Sequence, residues 1–367
     1  MICDPNAYIV APDGSAQDID GKTIFFSFER FKDEICKKGH CFVCGAPPSQ
    51  DFNNEHIFPN WLLRHCRMHN ETLTLPNEVR VKYGTYKIPC CQSCNGQLAE
   101  IYETPISKAM CAGYEGVLEF VQNGGFYCLC AWLSLIFTKV HLRDFKNRVS
   151  LDMREDDGVL GEHYELNELH HVHAVARAAT ADVQVDEKVY GTLVILRLDH
   201  CEQDLAFDYC DNLAGRTLLI RVKDVALIYV LDDCGATGGM LSEQLNTLPN
   251  SLSRIQLREV YARHLAANMH IKERPTFRTE FLGAKGKPRI SVKLPELNFH
   301  DYDPNVLRVL GHGFRLTEAR HLFKQIEPFR SWAHNSNFIR THGKFIEEAG
   351  ETSQSGGRPA RLFRLKG

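Results

Sequence analysis

The sequence predicts an α+β protein built from several units, and three observations carry that expectation. Cysteine pairs and an acid-histidine step gather in a loop-rich stretch near the start. Helical apolar periodicity and β-branched runs share the middle of the chain, and positive charge collects at the end. At 367 residues the chain exceeds the usual span of one core. The segments expected are 1–36, a metal module over 37–112, an α+β domain over 113–300 and a basic region over 301–367. With 44% hydrophobic residues, 24% charged and a formal net charge of −3, neither disorder nor a uniformly basic surface is expected. A nucleic-acid surface must therefore be local.

The opening residues "MICDPNAYIVAPDGSAQDIDGK" carry no basic leader followed by an apolar stretch, so a cytoplasmic location is the expectation. The most apolar run, "FYCLCAWLSLIF" (126–137), is shorter than the ~20 residues that cross a bilayer and reads as a buried core helix, with no membrane partner. In the middle, "HAVARAATADVQV", "YGTLVILRL" and "RTLLIRVKDVALIYVL" are rich in β-branched residues, are bounded by Gly, Asp and Asn, and read as strands of one sheet. The helix "LSRIQLREVYARHLAANMHIKE" follows. Cysteines outside the pairs, Cys36, Cys66 and Cys130 among them, read as small buried apolar residues.

Zinc closes a loop-rich segment through four thiolates or imidazoles, and two C-x-x-C knuckles have the spacing for tetrahedral closure. Cys41-Phe-Val-Cys44 and Cys91-Gln-Ser-Cys94 provide them, with Cys91 preferred over its neighbour Cys90. A structural zinc ion is the expected cofactor. Such a site does not itself require Glu55-His56, Pro59 or Asn95, which stand between and just after the knuckles in "NNEHIFPNWLL" and "CQSCNGQL".

Cys41, Cys44, Glu55, His56, Pro59, Cys91, Cys94 and Asn95 together resemble the zinc-knuckle HNH endonucleases, the ββα-metal or His-Me finger group. The resemblance spans about 60 residues of the chain. It implies a zinc-stabilised ββα-metal nuclease module in which Glu55 and Asn95 hold a catalytic Mg²⁺ or Mn²⁺ and His56 is the general base. A neutral imidazole takes a proton from the attacking water, and a hard ion held by carboxylate and amide oxygens offsets phosphate charge. The family pattern has Asp where this chain has Glu55. Its middle Asn has no clear match in "KYGTYKIPC", and Asn77 is the nearest upstream candidate. On the flanking helices, Arg64 and Arg67 are candidates for phosphate contact, while Glu100 and Glu103 read as a solvated helix face.

Residues 306–367 hold eleven Lys or Arg against five Glu, a local surplus of six positive charges. The order "LTEARHLFKQIEPFR", "HNSNFIRTHGKFIEEAG", "GGRPARLFRL" reads as helix, helix, hairpin. It resembles a bacterial winged helix-turn-helix, which implies that Asn335, Ser336, Asn337 and Arg340 face the major groove of double-stranded DNA while Arg358 and Arg361 approach phosphates. Three further motifs read as structural: "HHVH" (170–173) as an exposed or packed helix, Asp232-Asp233 as solvated turn acids, and "GATGG" as a turn without phosphate-loop spacing.

Two functions follow from these resemblances. One is a metal-dependent HNH endonuclease that cleaves phosphodiester bonds, by family analogy a bacterial or phage-defence effector; the other is a non-catalytic zinc-containing DNA-binding regulator.

Overall fold

The computed structural model describes residues 8–152, 154, 157–199, 206–282, 286–300 and 360–363. The chain divides into two compact units: residues 1–190 with 277–293, and 191–276 with 294–367. The expected segments 1–36 and 37–112 thus share one unit with the first part of the expected α+β domain.

Unit 1 begins with the antiparallel sheet β1 (Tyr8–Val10), β2 (Ala16–Asp18) and β3 (Thr23–Phe25). Ser27 accepts a hydrogen bond from the Arg30 amide at the start of α1 (Phe28–Arg30), which widens into a π turn over Phe31–Lys38. Gly39, at φ 73°, ends it, a backbone conformation that suits glycine. Then come β4 (Phe52–His56), α2 (Asn60–His65), the short hairpin β5 (Thr72–Thr74) and β6 (Arg80–Lys82), and β7 (Lys87–Cys91). Strands β4 and β7 pair antiparallel from Phe52↔Cys91 to His56↔Lys87.

From Cys91 the chain turns directly into α3 (Gln92–Leu98), passes a π turn at Ala99–Glu103 and continues as α4 (Thr104–Cys111). Helix α5 (Gly113–Phe120) and the long α6 (Phe126–Asp144) follow. Residues 113–144 are long and apolar enough to cross a bilayer, but 83% of their most apolar window is buried inside the protein, as a core helix. Helix α7 (Leu166–Arg177) packs on α6, and β8 (Gln184–Val185) closes this part. "HAVARAATADVQV", expected as a strand, is helical through Arg177, and only Gln184–Val185 is extended. Leu169, Val172, Val175 and Ala176 are buried at helical spacing, and this one-sided burial outweighs the β-branched composition.

In unit 2, β9 (Leu193–Arg197), β10 (Phe207–Asn212), β11 (Thr217–Val222) and β12 (Val225–Val230) form a sheet in the order β10-β11-β12-β9. Every residue of β11 and β12 is buried, so both faces are covered and the runs are apolar rather than alternating. The short helices α8 (Ala236–Met240) and α9 (Ser242–Leu245) precede α10 (Arg254–His270), where Ser253 and Gln256 form a capping box. Leu257, Val260 and Leu265 of α10 join Val194, Leu196, Leu219 and Ile228 of the sheet in one core. Back in unit 1, strands β13 (Thr276–Glu280) and β14 (Arg289–Lys293) form a three-stranded sheet with β8. Strand β15 (Ala360–Phe363) adds to the edge of the unit 2 sheet, antiparallel to β9.

Asp232 and Asp233 are buried, not solvated as expected. Arg216 lies 2.5 Å and Arg274 2.6 Å from the Asp232 carboxylate. Burial opposes ionisation of Asp232, but these two arginines outweigh it and hold its pKa below the usual range. Asp233 accepts bonds from the amides and hydroxyls of Thr192 and Thr237, tying the strand end to α8.

Candidate metal centre and hairpin site

The sulfurs of Cys41, Cys44, Cys91 and Cys94 all lie within 4.8 Å of one another. One knuckle is the turn after α1, and the other is the junction of β7 and α3, so the β4/β7 pairing brings local sequence motifs together. The Cys44 and Cys91 sulfurs are 3.5 Å apart, and the Cys91 amide points at the Cys41 sulfur from 3.5 Å. Hydrogen bonds from Cys44, Cys90 and Cys94 drive Cys41 strongly toward the thiolate. Burial first, then the Cys41 charge, pushes Cys91 up to about 12, and the bond to Cys41 raises Cys94 further. Four sulfurs this close cannot all ionise without a cation among them. Zn²⁺ coordinates thiolates tetrahedrally, so this donor set fits a structural zinc ion. Cys90 lies 3.8 Å from Cys41 but outside the four-sulfur group.

Strands β4 and β7 and helix α3 form a ββα arrangement resting on this cluster. Within it, Asn95 Nδ2 donates to Asn53 Oδ1 at 3.2 Å, joining the first turn of α3 to β4. That commits the donor end of the Asn95 amide and leaves its oxygen as the end suited to a cation. His56 ends β4 and is half-buried; burial first, then the Lys87 charge, lowers its pKa, so its imidazole is neutral at pH 7. His69, which the sequence reading passed over, lies in this region and bonds Asn60 Oδ1 at 2.8 Å.

Glu55 is 6% exposed and is held by a residue that sequence reasoning missed. Lys139, on α6 and 1% exposed, donates to Glu55 Oε1 at 2.9 Å and to the His56 carbonyl at 2.7 Å. Its signal was present as a charge inside a long apolar run, well before Arg143 and Asp144 at the helix end, where only a buried partner makes ionisation tolerable.

Glu103 departs from the expected solvated face. Burial first, then the charge of Glu55 and a hydrogen bond with it, raises Glu103 to about 7 against the pull of Lys139. It stands eight residues beyond Asn95 on the same continuous helix, a spacing that returns to the same face. Glu100, by contrast, is exposed, as are Arg64 and Arg67. Asn77 bonds the Arg148 carbonyl instead of the loop that bears His56.

The "HHVH" helix is packed. His170 bonds the Phe26 carbonyl at 2.8 Å and His173 the Phe42 carbonyl at 2.5 Å. One helical turn on, Arg177 donates to the carbonyls of Val43 at 2.8 Å, Ile24 at 2.8 Å and Thr23 at 2.5 Å.

One comparison with known proteins is positive. Residues 306–365 match the NrtR DNA-binding winged helix domain. The chain matches no curated protein and no solved structure. The winged helix domain covers the basic region, and its presence supports DNA as a partner. Asn335, Ser336, Asn337, Arg340 and Arg358 fall within the match but outside the described residues. Arg361 lies on β15, opposite Ile195 of β9, so the last strand of the winged helix domain is an edge strand of the unit 2 sheet.

Proposed function

We propose that this chain is a zinc-containing DNA-binding protein whose C-terminal winged helix domain docks on duplex DNA. The observation that carries this reading is the match over residues 306–365, strengthened by the local surplus of positive charge. In such a domain the second helix enters the major groove, here the segment bearing Asn337 and Arg340, and the wing, here Arg358 and Arg361, approaches the backbone. Fluorescence anisotropy on duplex DNA tests it. Arg358→Ala is expected to weaken binding on all sequences and lower the salt slope by about one, whereas Asn337→Ala relaxes sequence preference. A full-length protein that binds no duplex at low salt overturns the reading.

A second reading, HNH-type phosphodiester cleavage, is favoured by the ββα arrangement over the cysteine cluster. In it, Glu55 and Asn95 would hold Mg²⁺ or Mn²⁺, which when bound offsets charge on the phosphate and the departing oxygen. Neutral His56 would take the proton of the attacking water. Lys139 holds Glu55 Oε1 with a positive charge that a cation at Glu55 would have to face, and the winged helix match puts the non-catalytic reading first. Plasmid nicking with Mg²⁺ or Mn²⁺ separates the two. Cleavage that His56→Ala abolishes supports the nuclease, and equal behaviour of both proteins removes it.

A further inference from the structure

Arg177 presents an imbalance of charge. Its side chain lies in the interior, with the residue 5% exposed and the guanidinium 4.5 Å over the Phe26 ring. Nε, Nη1 and Nη2 each donate to a main-chain carbonyl, so its hydrogen bonding is well served. No carboxylate pairs with it among the described residues. A buried cation held only by neutral dipoles is costly, because carbonyls solvate the charge without cancelling it. A source of negative charge adjoins it along the chain: Val43, which takes the Nε bond, stands between Cys41 and Cys44.

The requirement runs the other way too. Four thiolates around one Zn²⁺ carry two net negative charges, and a buried dianion needs positive charge close by. His173 cannot supply it, since complete burial holds its imidazole neutral while it bonds the Phe42 carbonyl. It fixes the other inner residue of the same knuckle. Gly45 completes the packing: at φ 80° it passes so close to Phe26 that an added Cβ would lie 2.6 Å from the ring. The carbonyls of Phe42 and Val43 are thus drawn toward α7, and the knuckle is clamped between that helix and the Phe26 ring that covers Arg177.

We propose that Arg177 is the internal counter-ion and positioning residue of the zinc centre, offsetting the tetrathiolate charge from behind the first knuckle. This rests on the reading of Cys41, Cys44, Cys91 and Cys94 as a zinc site. His173 contributes to the same clamp through geometry alone, and the bonds to Thr23 and Ile24 carry the clamp into β3. Residues that orient or offset metal ligands from outside the coordination sphere change metal affinity by about 10- to 100-fold.

The test compares full-length wild type, Arg177→Gln, Arg177→Lys and Val117→Ala, a core variant of unit 1 on α5. Zinc content is measured first, then zinc release to a chelating dye, then the sulfur-to-metal charge-transfer band of the Co²⁺-loaded protein. Arg177→Gln is expected to lose zinc affinity about 10- to 100-fold and to shift the band. Arg177→Lys, which keeps the charge, should stay within about threefold of wild type, and Val117→Ala should leave the band unmoved. Wild-type affinity and an unshifted band in Arg177→Gln overturn the proposal while leaving the zinc site standing, as does a Val117→Ala loss of equal size. Wild type that binds neither zinc nor cobalt overturns the zinc reading and the proposal together. If Arg177→Gln does not fold, Arg177→Lys decides: retention within threefold supports the charge role, and a tenfold loss rejects it.

Discussion

The hairpin region of unit 1 and the sheet of unit 2 are held together by different means. In β11 and β12 every side chain is buried, and the stabilisation is spread over many apolar contacts with α10. In β4 only Glu55 is fully buried, and the flanking structure depends on four sulfurs, one lysine and one arginine. Spread burial tolerates the loss of any one contact. Concentrated polar bonding does not, because removing one partner leaves the other desolvated and unsatisfied.

Zinc removal is the strongest way to break the comparison. Binding energy at a structural zinc site is ~10–16 kcal/mol, comparable with or above the whole stability of a domain. Chelation or Cys94→Ala is therefore expected to abolish hydrogen-exchange protection in β4, β7 and α3 while β11 and β12 keep theirs. Protection retained in β4 and β7 would show that apolar burial, not the metal, holds the hairpin.

A smaller effect is expected from Lys139→Met, which leaves the Glu55 carboxylate buried without its partner. Breaking a buried pair on one side costs ~3–5 kcal/mol, while replacing both members by neutral groups costs much less. Denaturant titration should show the loss in Lys139→Met and its recovery, to within about 1–2 kcal/mol of wild type, in the double variant with Glu55→Gln. Additive losses would mean that the pair is not coupled.

The smallest effect lies in unit 2 and depends on pH. Burial lowers His264 on α10 from 6.5 to about 4, and its Nδ1 bonds the Val260 carbonyl. The folded value lies below the unfolded one, so the fold favours the neutral ring. Its contribution is complete above pH 6.5 and is lost as pH falls toward 4, at most about 3 kcal/mol at ~1.4 kcal/mol per pH unit. Protection of β11 and β12 followed between pH 7 and 4 checks the direction, and His264→Leu should flatten the dependence. A slope unchanged in that variant assigns the effect to other groups.

Legibility in the sequence followed the range of the interactions. The two knuckles, the apolar strands and the helix α10 were readable because ligand spacing, β-branched runs and helical patterning act over a few neighbours. "HAVARAATADVQV" was misread as a strand because β-branched composition is weak evidence until the buried face is known. Glu103, Asp232 and Asp233 were read as solvated because charged residues usually are; Asp232 and Asp233 are buried and Glu103 is half-buried, because partners elsewhere in the chain make this tolerable.

By itself, the sequence determined the cysteine ligand set, the order of Glu55, His56 and Asn95 around it, and the basic character of the end that matches the winged helix domain. Only the tertiary structure decided that Glu55 faces Lys139 from 84 residues away and that Arg177 reaches Thr23 across 154. The reason is physical: spacing along the chain selects which groups can act together, but the surroundings that set their charge and partners come from segments distant in sequence.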